Sequence, residues 1–176
     1  MIQTPNLLHS LILLYRYNFY IHTNKKDDRE ALLIRNKSGY CLDFIQEYGD
    51  ESDQSELVNS EYAVVLVLSL STAGGDGEQD NRGIWNRLIY ISRFMNSLHQ
   101  RRQTSYFNRG PSFPQQIRLA RRSDEQIEEE GGNEEIEAQL FKKGFSVSVN
   151  YWANQAQGNI LNYFIHRSNQ KPKWYR

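Results

Sequence analysis

Cysteine is nearly missing from this chain, and the absence narrows what it can do. With Cys41 as the single cysteine among 176 residues, no intrachain disulfide can form, and a thiolate metal cluster is excluded. That fits a reducing compartment and an intracellular, cytoplasmic setting. Long apolar runs are missing too. The one candidate for a targeting segment, Leu7 to Tyr15, falls well short of the roughly 20 apolar residues a membrane span needs. It has no basic residue before it, as a secretory signal would, so it reads as a buried strand or helix. Gly74-Gly75-Asp76-Gly77 lacks the Lys-Ser/Thr that completes a phosphate-cradling loop, and no nucleophile elbow occurs. The four histidines, His9, His22, His99 and His166, are scattered and none sits at ligand spacing with a carboxylate. Neither a metal nor any other cofactor is expected.

Charge of one sign is absent over long stretches, although the net charge is zero. Residues 38–81 hold ten acids and no Lys or Arg; residues 82–123 hold nine arginines and no acid. Residues 124–137 hold eight acids and no base, and no acid follows Glu137. Guanidinium groups offer a planar fork of donors to phosphates, and exposed bases stack on aromatic rings. Trp85, Tyr90, Phe94, Tyr106, Phe107 and Phe113 are interleaved with the arginines. The pattern points to a non-catalytic or weakly catalytic binder of RNA, or of a ribonucleoprotein such as the ribosome. Arg93, Arg101, Arg102, Arg109, Arg121 and Arg122 would contact phosphates, and Tyr90, Tyr106 and Phe107 would stack on bases. The same sorting suits a self-complementary surface. The alternative is therefore a protein-interaction or assembly module, such as a viral structural component, that takes an acidic protein partner or a second copy.

The coarse element reading is an α+β fold in one domain, 1–176: a small mixed or antiparallel sheet packed on two main helices. Ala31 to Arg35 and Tyr40 to Ile45 read as strands joined by an Asn36-Lys37-Ser38-Gly39 turn. Tyr62 to Leu70 is a β-branched and aliphatic run that suits a central strand, or a buried helix that periodicity does not exclude. Ile84, Leu88, Ile91, Met95 and Leu98 recur at helical spacing and predict a helix over 84–100, capped by Asp80 or Asn81. Gln116 to Ala120 reads as a short edge strand and Phe145 to Val149 as another. Ala153 to His166 reads as a helix. Mobile loops are expected at 72–81, 103–114 and 123–134, and a basic tail at 168–176.

Two stretches resemble the ribosome-inactivating proteins, the plant rRNA N-glycosidases. Leu33-Ile34-Arg35-Asn36-Lys37-Ser38-Gly39-Tyr40-Cys41-Leu42-Asp43-Phe44 is similar to that family's strand pair, with Tyr40 at the place of the tyrosine that stacks on the target adenine. Trp85-Asn86-Arg87-Leu88, followed by residues 113–122, is similar to its tryptophan helix and the next strand. The resemblance implies Tyr40, Glu61 and Trp85 as site residues. In Ser60-Glu61-Tyr62-Ala63-Val64, however, Val64 stands where the family has its arginine, and the chain between Phe44 and Trp85 is short. A truncated or inactive relative is what those departures imply.

Overall fold

The computed structural model describes residues 6–19, 21, 23–72, 81–104, 110–141 and 147–161. Every regular element among these residues is a helix: α1 (Leu7–Tyr15), α2 (Lys25–Tyr48), α3 (Glu51–Asn59), α4 (Tyr62–Thr72), α5 (Asn81–His99), α6 (Ile117–Glu129), α7 (Gly132–Phe141) and α8 (Val147–Leu161). No strand is present among them. The nearest approach is one isolated antiparallel bridge between Arg102 and Phe113. The expected α+β architecture is therefore wrong, and each misread segment has a local reason.

The expected hairpin over 31–45 is the middle of α2. Asn24 starts that helix by accepting from the backbone nitrogens of Lys26 and Asp27, and Asp27 and Asp28 favour its N-terminal dipole. The apparent turn glycine, Gly39, is a notch: a Cβ there would stand 3.0 Å from the Tyr15 ring of α1. Close helix approach, not chain reversal, requires the glycine. The β-branched run at 62–70 is α4, whose Tyr62, Ala63, Val65, Leu66, Val67 and Leu70 are all buried. A helix sunk in the core loses its amphipathic period and reads as a strand. Gln116 to Ala120 leads into α6, and Val147 to Val149 begins α8. The expected acidic loop at 123–134 is also helical. Residues 123–129 finish α6, Glu130 and Gly131 turn the chain with Gly131 at φ 69°, and α7 begins at Gly132. The two arms of that turn are helical because Ile127 and Ile136 are buried, apolar anchors hidden among the acids.

The helix expected over 84–100 is α5, and Ile84, Leu88, Ile91, Met95 and Leu98 are all buried along it. Helices α4 and α5 form the centre; α8 packs most extensively along α5, with α1, α2, α6 and α7 around them. Leu42, Leu57, Leu66, Leu88, Phe94 and Ile136 contribute to one continuous apolar cluster. Phe94 meets Tyr62 edge to face, with ring centroids 5.0 Å apart. The 103–114 segment is closed at its base by the Arg102–Phe113 bridge and crossed by Thr104, whose hydroxyl donates to Gly110 O at 2.7 Å. Residues 73–80 of the expected 72–81 loop, and the 168–176 tail, lie outside the described residues. No helix is long and apolar enough to cross a membrane among the described residues.

Candidate functional site

The arginine segment divides into buried and exposed members. Arg93 leaves α5 toward α2, where Nη1 lies 3.2 Å from Asp43 Oδ2 and 3.5 Å from Glu47 Oε2. Asp43 is nearly buried, and burial raises its carboxyl to about 6, against the pull of the Arg93 charge. Tyr90, on the next turn of α5, is half-buried beside the same carboxylate, and burial with the Asp43 charge pushes its hydroxyl well above the usual range.

Arg102 follows a different route into the interior. Its Nη1 donates to Gln46 O and Gly49 O, both at 3.2 Å, and so satisfies carbonyls that the last turn of α2 leaves open. The guanidinium lies 5.1 Å over the Phe113 ring. A Cβ at Gly110 would collide with it, so only glycine permits that lid. Burial lowers the Arg102 pKa. Gln54 Nε2 reaches the same Gln46 carbonyl at 2.8 Å, and Gln46 Nε2 donates to Ser97 Oγ at 3.2 Å.

These groups border a polar cleft of about 290 Å³, lined by Gln46, Glu47, Arg93, Asn96, Ser97, Gln100, Arg101, Arg102 and Gln103. Three of the arginines singled out from the sequence meet there. Their charge is largely answered in place: Arg93 by two carboxylates, Arg102 by helix-end carbonyls. Arg102 is buried, whereas Arg93 and Arg101 are both exposed. Arg121 and Arg122 sit apart, exposed on α6, where Arg122 Nη1 donates to Asn59 Oδ1 at 2.7 Å. Tyr106, Phe107 and Arg109 lie outside the described residues.

The residues implied by the N-glycosidase resemblance are not gathered in this cleft. Tyr40 is 63% exposed on α2. Glu61 is exposed at the α3–α4 turn with φ 60°, and Trp85 is half-buried against the core. No group of three or more His, Cys, Asp or Glu side chains is placed to hold a metal ion among the described residues. His99 and Asp124 form a separate pair that links α5 to α6, with His99 Nε2 3.3 Å from the carboxylate. Burial raises Asp124, and His99 pulls it back.

Sequence reading missed the outward face of α2. Leu33, Tyr40, Phe44 and Tyr48 are 57%, 63%, 50% and 41% exposed. Steps of seven, four and four residues put them on one stripe of a helix. The Phe44 and Tyr48 rings touch, with centroids 4.5 Å apart. Lys37, also exposed, fills the gap between Leu33 and Tyr40. The signal was available as helical spacing, but a hairpin reading sends alternate residues to opposite faces and scatters the stripe. Compared with protein-family models, curated proteins and solved structures, the chain matches none.

Proposed function

We propose that this chain is a protein-interaction module that docks its partner on the outward face of α2. The observation that carries the reading is the stripe of Leu33, Tyr40, Phe44 and Tyr48 left in water, interrupted by Lys37. A lone exposed apolar side chain is ordinary, whereas four on one helix face are characteristic of a docking surface. Covering such side chains stabilises a complex by about 25 cal/mol per Å² of apolar surface removed from water, and tyrosines keep a polar tip for the rim. The spacing 33, 37, 40, 44 also follows the alternation of four and three that seats one helix against another.

The test places a photo-crosslinking amino acid at Tyr40 and, as a control, at Arg121 in the full chain. Adducts from the Tyr40 position that vanish with Phe44→Asp support the module; adducts from the Arg121 position alone overturn it.

A second reading, RNA binding, rests on the exposed side chains of Arg101, Arg118, Arg121 and Arg122; Arg102 is buried, and Arg93, though exposed, is paired with Asp43 and Glu47. Three phosphate contacts would give a log–log salt slope of roughly −2 with single strands. Titration of labelled RNA at several salt concentrations measures it. A flat response, unchanged by Arg101→Glu with Arg121→Glu, removes this reading.

A further inference from the structure

Building on the interaction-module reading, we infer that the partner on this face is a second copy of the chain. The two α2 helices run antiparallel about a two-fold axis near Tyr40 and Cys41. The argument begins with charge. Residues 25–37 carry five bases and three acids, whereas residues 38–53 carry five acids and no base. Lys25, Lys26, Arg29 and Lys37 are exposed, as is Glu51, while Glu47, Asp50 and Asp53 are half-exposed. Parallel α2 helices would set base against base and acid against acid. Antiparallel helices set the basic first half of each α2 against the acidic end of the other, where Glu47 is followed by Asp50, Glu51 and Asp53 at the exit of α2 and the start of α3, and a two-fold axis across the helix produces that arrangement with identical surfaces.

Register follows from the stripe. An axis midway between Tyr40 and Cys41 places Lys37 of each copy opposite Phe44 of the other, and Leu33 opposite Tyr48. An ammonium over a ring is favourable, and the lysine stem covers apolar surface at the same time. One lysine in an otherwise apolar seam also favours this register, since a slip that sets Lys37 opposite Leu33 buries its charge against an aliphatic side chain and one that sets it opposite its own copy brings two ammonium groups together. A net charge of zero adds no long-range repulsion between copies.

Cys41 supplies the probe, because it is exposed and is the only cysteine in the chain. Across this axis the two thiols face one another. Full-length protein at about 1 to 200 µM, the range where weak dimers form, is examined by sedimentation and treated with a short bismaleimide. The expected result is a dimer with a Cys41–Cys41 adduct. Phe44→Asp should lower the adduct yield at least about tenfold, the size of one interface anchor. The milder pair Leu33→Ala with Tyr48→Ala should lower it in the same direction, with helicity unchanged by circular dichroism. A dimer that the bismaleimide does not link overturns the axis and register. A monomer at every concentration overturns the second-copy inference alone. Photo-crosslinks from Tyr40 to another protein would then keep the module reading, and their absence would sink both.

Discussion

Asp43 is where a single side chain carries the most information. Its carboxyl is raised from 3.8 to about 6 because burial outweighs the Arg93 charge. A raised folded-state pKa means the folded chain holds its proton more tightly than the unfolded chain. The resulting stability is complete below the unfolded value and is lost as pH rises through about 6. Between pH 7.5 and pH 5 the wild type should therefore gain about 1 kcal/mol relative to Asp43→Asn. Denaturant midpoints of both proteins at the two pH values measure the difference. Equal pH responses would show that the carboxylate is already well solvated. The same position explains why Arg93 is a poor candidate for binding phosphate. Drawing its guanidinium away would leave a charged carboxylate unpartnered at neutral pH.

Among the helices, α6 is built against its own dipole. Arg118, Arg121 and Arg122 occupy its first half, Asp124, Glu125, Glu128 and Glu129 its second, with no acid in the first turn and no base in the last. Bases near a helix N-terminus and acids near its C-terminus both cost stability, and Glu125 and Glu129 repel across one turn. Glu129→Lys should accordingly stabilise the protein by about 0.5 kcal/mol at low salt, an effect that fades as ionic strength rises. Thermal melts at two salt concentrations test it; destabilisation would mean that Glu129 already has a cationic neighbour. The helix persists because Ala120, Ser123 and Ile127 are buried at helical spacing. That stripe was present in the sequence. The high charge around it and the paired glycines that follow outweighed it in the reading of a loop.

For the molecule as a whole, the antiparallel pair predicts a thermal midpoint that depends on protein concentration. A tenfold increase should raise it by about 1–3 °C, less in high salt, as scanning calorimetry would show. A midpoint independent of concentration would argue for a monomer. Legibility was uneven at this scale. The stripe of α5 was readable because Asn86, Arg93 and Ser97 mark its less buried side. Helix α4 was not, since even its less buried side carries the apolar Val64 and Leu68, which erases the period. Helix α2 was not, since Gly39 serves a neighbouring ring rather than a turn. The arginines were visible as a block, but sequence alone could not show that Arg102 is buried and Arg93 paired with two carboxylates while Arg101 stays exposed.

The position of Arg102 has a consequence for how the chain can change. One guanidinium closes the exit of α2, rests on Phe113 and lies under Gly110, so two stretches remote in sequence, 46–49 and 110–113, share a single latch. Lysine, with a point charge on a flexible stem, could serve one of these contacts but not all together. Residue 102 and its glycine lid are therefore bound to vary as a pair, and losing either would loosen the approach to α6 along with the end of α2.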